Sequence, residues 1–174
     1  MNGQVIHENP EAGRIRIGLN EVGIVDSKYK RAIWQNSGSI IFKGRAEVGV
    51  GMRISNKGEL TIGDNCRFNA NSDIICRKKI SFGDDCLISW ECLIMDGDFH
   101  KIYSHEETKP INQDQGITIG NHVWIGSRCT VLKGAAIPDY SVLASCSLVT
   151  KALALENCIY ASNKIIKENI RWED

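Results

Sequence analysis

The chain is 174 residues long, which is the size of one domain with a hydrophobic core of its own. It carries 21 basic and 21 acidic side chains, so it lacks the positive field that draws proteins to nucleic acids. No stretch approaches the roughly 18 apolar residues of a membrane span, and residues 1–13 lack the apolar segment of a secretory signal. We therefore expect a single cytoplasmic domain over residues 1–174, with neither nucleic acid nor membrane as partner.

The N-terminal half of the chain contains a loose repeat. Residues 1–14 have no periodic pattern, and we expect them to form a cap or arm in front of a repetitive region at residues 15–155. In that region, a spacing of 20 residues separates apolar residues that are followed closely by glycine: Phe42, Ile62 and Phe82. Val22-Gly23 lies another 20 residues upstream and predicts an imperfect first coil of the same repeat.

A stricter repeat follows in the C-terminal half. Large aliphatic residues recur at every sixth position: Ile119, Ile125, Val131, Ile137, Leu143 and Val149. The fourth position after each prefers a small side chain: Val123, Cys129, Ala135, Ser141, Ser147 and Leu153. An interval of six does not fit the period of a helix, whereas it suits short strands wound around a triangular prism. The sequence therefore predicts an all-β solenoid, whose coils have about 18 residues or slightly more where turns are longer.

The seven cysteines are odd in number and include no Cys-x-x-Cys pair, so we expect reduced thiols, not a disulfide framework or a zinc knuckle. Four of them fall at the small position of the repeat: Cys66, Cys86, Cys92 and Cys129. We expect these four to be buried thiols that fill the core. Cys76, Cys146 and Cys158 lie off that position, and the pattern assigns them no role.

One long insertion interrupts the repeat. Phe82 and Ile119 are 37 residues apart, which exceeds one coil of about 18 residues by a similar length. Because the apolar spacing holds on both sides, we expect the surplus to form a loop at residues 96–116. Long loops on rigid scaffolds commonly carry function, and this one contains His100 and His105.

Residues 117–151 read ITIGNHVWIGSRCTVLKGAAIPDYSVLASCSLVTK and follow this histidine-bearing loop. The combination resembles the hexapeptide-repeat acyltransferases, and more narrowly their galactoside and maltose O-acetyltransferase branch. The resemblance extends over roughly residues 42–167. It implies a left-handed parallel β-helix with one inserted loop, and an acetyl-CoA-dependent O-acetyltransferase that acts on a sugar hydroxyl.

The resemblance also implies a catalytic base. In that family a loop histidine removes the proton from the acceptor hydroxyl, which attacks the thioester directly in a ternary complex, and His100 matches this histidine. A neutral imidazole is basic enough for the task near neutral pH. His105 is the weaker candidate, and we expect it and His122 to lie at the surface. A zinc site built from these three histidines would imitate the carbonic anhydrase branch, but the spacing does not match, so no metal is expected.

Further positions match the binding residues of the family. Trp124 matches a tryptophan beside the thioester end of the pantetheine arm of acetyl-CoA. Other expected cofactor-binding residues are Ser127, Ser145, Thr150, Lys151 and Lys164. Expected acceptor-binding residues are Asn69, Arg77 and Asp98. Arg77 stands where the galactoside branch has an acidic residue, and its guanidinium suggests a phosphate or carboxylate on the acceptor.

Members of this family are trimers, which implies active sites between subunits, with the His100 loop of one subunit facing Trp124 of the next. The tail of this chain departs from the family pattern. We expect residues 156–174 to close the solenoid as a strand followed by a short amphipathic helix over Glu168–Trp172.

Other functions remain open on the sequence alone. N-acylation of a nucleotide-linked amino sugar would use a similar base with a different acceptor pocket, and a xenobiotic acetyltransferase is another alternative. A non-catalytic solenoid scaffold is the alternative from a different class, although a scaffold gains nothing from the inserted loop. The favoured process is polysaccharide or glycoconjugate synthesis.

Overall fold

This computed structural model describes residues 2–19, 25–26 and 28–173. The described part of the chain contains twenty strands and no helix. The strands are numbered β1 to β20 in chain order, and they form three sheets, named A, B and C. Across the described residues, no helix is long and apolar enough to cross a membrane.

Each sheet is one face of a three-sided prism, and the chain passes from sheet A to sheet B to sheet C in each coil. Sheet A consists of β1 (Gln4–His7), β4 (Ser39–Phe42), β7 (Glu59–Ile62), β10 (Lys79–Phe82), β13 (Ile117–Ile119) and β16 (Ala136–Ile137). Sheet B consists of β2 (Ile15–Ile17), β5 (Ala46–Val48), β8 (Cys66–Phe68), β11 (Leu87–Ile88), β14 (Trp124–Ile125), β17 (Val142–Leu143), β19 (Ile159–Ala161) and β20 (Lys164–Lys167). Sheet C consists of β3 (Ile33–Asn36), β6 (Arg53–Asn56), β9 (Asp73–Cys76), β12 (Leu93–Met95), β15 (Thr130–Leu132) and β18 (Leu148–Val149). Neighbouring strands are parallel, except that β19 and β20 are antiparallel.

The six-residue repeat places its large residues inside the prism. Phe68 of β8 pairs in register with Ile88, and Ile88 pairs with Ile125, so equivalent side chains stack from coil to coil. All six aliphatic residues of the strict repeat are buried: Ile119, Ile125, Val131, Ile137, Leu143 and Val149. Phe68 also meets Phe82 edge to face, with 4.9 Å between ring centroids. Burial of this column is the main source of stability, and the predicted all-β parallel helix is confirmed.

A hydrogen-bond ladder explains the acidic and amide residues that recur at the turns from sheet A to sheet B, here called the A/B corner. Asp84 Oδ1 accepts from the amide of Asp64 at 2.7 Å, and Asn121 Oδ1 accepts from the amide of Asp84 at 2.9 Å. A Cβ on Gly63 would lie 2.3 Å from the carbonyl oxygen of Gly83, so glycine is needed at position 63 for these two coils to approach this closely. The side chains thus satisfy turn amides that would otherwise lack partners.

All seven cysteines are free thiols, and the four at the small position of the repeat are buried as expected. Burial and the nearby Asp96 carboxylate raise the pKa of Cys76 to about 12. Burial raises the pKa of Cys92 to about 11. Cys158 is also buried. Cys146 is exposed and lies at the turns from sheet B to sheet C, here called the B/C corner.

The inserted loop occupies residues 96–116 between β12 and β13. It leaves from the turns between sheet C and the next strand of sheet A, here called the C/A corner. Its first residue, Asp96, is fully buried. The Asp96 carboxylate accepts hydrogen bonds from the amides of Arg77, Lys78 and Lys79 at 2.6 to 2.8 Å. The base of the loop is therefore fixed to the preceding coil, and the excursion starts only after Asp96.

At the N-terminal end, β1 pairs with β4 in continuous register, from Gln4 beside Ser39 to His7 beside Phe42. Part of the segment expected to form a cap or arm, residues 1–14, thus extends sheet A. The suggested first coil at Val22-Gly23 lies outside the described residues.

The expected helix over Glu168–Trp172 is wrong. Residues 168–173 follow β20 without helical or strand structure. The amide of Ile170 donates to the carbonyl oxygen of Asn157 at 2.9 Å, and Trp172 stacks on His122 with 4.2 Å between ring centroids. So short a segment gains little from its own helical hydrogen bonds, and contacts with the prism determine its path.

Candidate active site

His100 lies in the exposed part of the inserted loop. The Asn112 side chain forms hydrogen bonds with the backbone at and near His100. Asn112 Nδ2 donates to the carbonyl oxygen of His100 at 2.8 Å and to Asp98 Oδ2 at 2.7 Å. Asn112 Oδ1 accepts from the amide of Ile102 at 2.7 Å. The two limbs of the loop are thereby joined at His100, whose backbone is fixed while the residue remains exposed.

Asp98 connects the same loop to the prism. Lys133, which follows β15, donates from Nζ to Asp98 Oδ2 at 2.6 Å. The hydrogen bonds from Lys133 and then Asn112 hold the pKa of Asp98 below its ordinary value. Asp98 is therefore an ionised brace between the loop and the prism, a role that adds to its predicted place in acceptor binding.

Arg77 lies at the base of the loop. Its Nε donates to Asp114 Oδ2 at 3.0 Å, and its guanidinium carbon lies 5.7 Å from the centroid of the Phe99 ring. Asp114 thus compensates part of the Arg77 charge, and an anionic acceptor group would have to share the guanidinium with this carboxylate.

Trp124 projects from the outer face of sheet B and is 38% exposed. Its Nε1 donates to Ser89 Oγ at 3.0 Å, toward the B/C corner. On its other side Trp172 of the tail lies with its ring centroid 6.0 Å away. The indole is held on two sides and keeps an accessible surface, which suits contact with an apolar ligand chain.

Ser127 and Ser145 line one cavity of about 360 Å³ at the B/C corner, together with Trp90 and Arg128. Asn69 belongs to the same corner, two coils before Ser127, and is half-buried. The remaining predicted cofactor-binding residues are exposed: Thr150 and Lys151, which follow β18, and Lys164, which begins β20. The hydroxyl groups of the cavity and the lysine side chains are groups that a polar, phosphorylated ligand requires.

The predicted site residues fall mainly into two groups on the prism. The group at or near the B/C corner is Asn69, Trp124, Ser127 and Ser145. The group at the C/A corner is Arg77, Asp98, His100, Thr150 and Lys151. The width of sheet C separates them, about 10 to 13 Å for strands of three to four residues. One copy of the chain therefore keeps His100 and Trp124 on different corners.

The other two histidines highlighted by the sequence lie apart. His105 is exposed in the loop, and His122 at the A/B corner bonds through Nε2 to the carbonyl oxygen of Trp172 at 3.1 Å. In the part of the chain that the structure describes, His, Cys, Asp and Glu side chains do not gather in groups of three or more that could hold a metal ion.

Asn112, Lys133 and Trp172 were missed by the sequence analysis. Their contacts with His100, Asp98 and His122 join residues 12, 35 and 50 positions apart, respectively. Two of them lie outside the repeat, and Lys133 is an outward-facing turn residue that periodicity does not distinguish from other surface lysines. No sequence signal in a single chain links such pairs.

The chain is similar to several O-acetyltransferases, although no family model matches it. It is 42% identical over 66 residues to the polysialic acid O-acetyltransferase of Neisseria meningitidis, and 32% identical over 123 residues to that of Escherichia coli O1:K1 / APEC. These alignments cover 38% and 68% of this chain, and it spans only 31% and 40% of the two relatives. An uncharacterized 24.8 kDa protein from the cps region of Klebsiella pneumoniae is 31% identical over 161 residues, which cover 90% of this chain and 70% of that protein.

Two solved structures share the architecture. The polySia specific acetyltransferase NeuO superposes with a TM-score of 0.68 at 25% identity, over 82% of this chain and 63% of NeuO. A galactoside acetyltransferase in complex with coenzyme A superposes with a TM-score of 0.54 at 28% identity, over 68% of this chain and 60% of that one. The β-helix is left-handed, as in these neighbours. The chain belongs to the hexapeptide-repeat acyltransferase family.

Proposed function

We propose that the chain is an acetyl-CoA-dependent O-acetyltransferase that acts on a sugar hydroxyl in polysaccharide or glycoconjugate synthesis. The observation that carries this proposal is the braced loop that presents His100 from a prism of the acyltransferase family. The names of the bacterial relatives favour a saccharide acceptor. The proposed location is the cytoplasm, where acyl-CoA donors are made.

His100 acts as the general base in this proposal. Its neutral imidazole accepts the proton of the acceptor hydroxyl while the oxygen attacks the carbonyl carbon of the thioester. The carbon–sulfur bond then breaks, and the imidazolium returns its proton to the departing thiolate. Direct transfer in a ternary complex requires no acyl-enzyme. The hydrogen bond from Asn112 fixes the backbone that carries the imidazole, which limits the loss of attack geometry through loop motion.

The donor fits the B/C corner. Trp124 offers an indole surface for the pantetheine arm, and Ser127 and Ser145 line the adjacent cavity of about 360 Å³. Thr150 is exposed farther along the chain. The phosphates of the donor would be held by two exposed ammonium groups, those of Lys164 and, across sheet C at the C/A corner, Lys151.

The acceptor is held by residues of the B/C corner and of the C/A corner. The half-buried carboxamide of Asn69 can both donate to and accept from sugar hydroxyls. Asp98 and Arg77 face the acceptor from the loop side, where Lys133 and Asp114 hold them in place. Because these charges are already paired, the loop side of the site can bind a neutral sugar without leaving an unpaired charge.

A homotrimer with active sites between subunits completes the proposal. The separation of the His100 loop from Trp124 on one prism supports this assembly, since the loop of one subunit would meet the indole face of the next. In a closed ring of three, each subunit would supply a loop to one site and a donor surface to another.

Thiol release from acetyl-CoA tests the proposal, measured over a panel of sugars, sialic acid polymers and nucleotide sugars. We expect an acceptor in the panel to stimulate release, and His100→Ala to lower that rate by roughly a hundred- to ten-thousandfold. His105→Ala is the matched control from the same loop and should leave the rate unchanged. A wild-type chain that neither binds acetyl-CoA nor releases thiol with any acceptor would refute the proposal.

A further inference from the structure

The A/B corner carries a tyrosine, Tyr140, in an unfavourable backbone conformation. Five of its residues have positive φ: Asn65, Asp85, His122, Tyr140 and Asn157. Asparagine, aspartate and histidine are enriched in this left-handed conformation, whereas a bulky tyrosine in it is an outlier. Among these five residues only Tyr140, at φ of 56°, is therefore an outlier.

A contact within the fold accounts for His122 but not for Tyr140. His122 stacks on Trp172, and Trp172 Nε1 donates to the carbonyl oxygen of His122 at 2.9 Å. Tyr140 remains 47% exposed, and its ring centroid lies 5.7 Å from that of His122. The turns of the prism impose positive φ on this residue, as they do on Glu91, Arg128 and Cys146 at the B/C corner. What packing leaves unexplained is therefore an exposed tyrosine at this position.

Tyr140, His122 and Trp172 line a cavity of about 490 Å³ on this corner. Polar groups from the prism also line it: Asp85, Asn121 and Asn157. Asp85 Oδ1 accepts from Asn65 Nδ2 at 2.8 Å, while Asp85 Oδ2 and the Asn157 side chain have no partner among the described residues. The volume falls in the range of small-molecule sites, in which apolar walls combine with a few polar groups.

We infer that this cavity is an accessory binding site for a neutral saccharide ring. The apolar C–H face of a pyranose would pack on Tyr140, and its hydroxyls would reach the carboxylate of Asp85 and the carboxamide of Asn157. Arg171 and Glu173 pair with each other at 2.6 Å, so Asp85 leaves a negative balance that disfavours an acidic sugar. The inference deepens the proposed function, since a polymeric acceptor would contact the enzyme here as well as at the reactive loop.

The decisive variant is Tyr140→Asn, because asparagine occupies the equivalent positions 65 and 157 and tolerates positive φ. The probes are a neutral galactose-containing hexasaccharide and a sialic acid hexamer. Calorimetry and saturation-transfer NMR on the full chain, without acetyl-CoA, report binding. We expect wild type to prefer the neutral probe and Tyr140→Asn to weaken its binding about tenfold. Tyr29→Asn, at a residue 74% exposed near the other end of the prism, is the matched control and should bind as wild type.

Equal binding by wild type and Tyr140→Asn would overturn the site, as would tighter binding of the sialic acid hexamer or displacement of the neutral probe by coenzyme A. Acetyl transfer to a monosaccharide is measured separately and should be unchanged in Tyr140→Asn. Saccharide binding that depends on Tyr140 in a chain without transferase activity would refute the proposed function and leave the site standing. Transferase activity without such binding would support the proposed function and refute the accessory site.

Discussion

Asn112 Nδ2 lies 2.8 Å from the carbonyl oxygen of His100 and donates a hydrogen bond to it. The same amide bonds to Asp98 and Ile102, so its removal would free the backbone on both sides of His100. We predict that Asn112→Ala lowers kcat for acetyl transfer about 10- to 100-fold, because small displacements of a reacting group are costly. The KM for acetyl-CoA should stay near that of wild type, since Asn112 lies away from the proposed donor surface.

Two further variants separate an effect on the position of His100 from an effect on folding. Asn112→Asp keeps an acceptor for the amide of Ile102 but loses both donated hydrogen bonds and places a second carboxylate beside Asp98. It should therefore be at least as impaired as Asn112→Ala. Lys109→Ala, at an exposed position of the same loop, should retain full activity. A kcat for Asn112→Asp equal to that of wild type would contradict the role of these hydrogen bonds.

The ion pair between Lys133 and Asp98 predicts a pH-dependent stability difference. Lys133→Met removes the cation that contributes most to the lowered pKa of Asp98, so that pKa should rise toward its ordinary value. A carboxyl group whose pKa is lowered in the folded state stabilises it above the unfolded pKa, and this contribution is lost as the pH falls through the folded pKa. Lys133→Met should thus be less stable than wild type at pH 7, and the gap should shrink below about pH 4.

Urea unfolding at a series of pH values measures the stability difference, and NMR titration of the Asp98 carboxyl group measures the change in its pKa. Lys151→Met is a suitable control, because Lys151 is exposed in the next coil of the C/A corner. A stability gap for Lys133→Met that persists unchanged to pH 2 would show that lost packing, and not the ion pair, is responsible.

The prism was predictable from sequence because its geometry repeats along the chain. A six-residue interval between residues such as Ile125 and Val131 reports directly which side chains point inward, since each face of the prism contributes one such residue. The small residue four positions after each large one reports the same packing. The handedness was predictable only through the family resemblance, because the spacing is the same for either hand.

The braces of the loop and the path of the tail were not predictable in this way. The bond between Lys133 and Asp98 joins an ordinary turn lysine to a residue outside the repeat. For the tail, the apolar residues Ile170 and Trp172 suggested an amphipathic helix, yet hydrogen bonds to Asn157 and His122 determine where the segment lies. Local pattern is a weak guide wherever a few tertiary contacts outweigh the helical preference of a short segment.

Cys146 should be the single rapidly reacting thiol of the folded protein, because the other six cysteines are buried. Burial raises the pKa values of Cys92 and Cys129, which keeps them as unreactive thiols. A thiol-specific chromogenic reagent should modify one group per folded chain and all seven in denaturant, and Cys146→Ser should abolish the fast phase. Acetyl-CoA should slow this phase, because Cys146 lines the same cavity as Ser127 and Ser145. Several thiols reacting at one rate would contradict the buried arrangement.

Mixing of two impaired variants tests whether the active site forms between subunits. His100→Ala subunits retain an intact Trp124 surface, and Trp124→Ala subunits retain an intact His100 loop. In randomly re-formed trimers about a quarter of the sites would combine the two intact halves, so about a quarter of wild-type activity should return on mixing and refolding. His100→Ala mixed with Asn112→Ala is the control, and because both substitutions impair the loop, its activity should stay below the residual activity of Asn112→Ala alone. A mixture of the first pair that remains as inactive as its components would place the whole site within one chain and refute the shared arrangement.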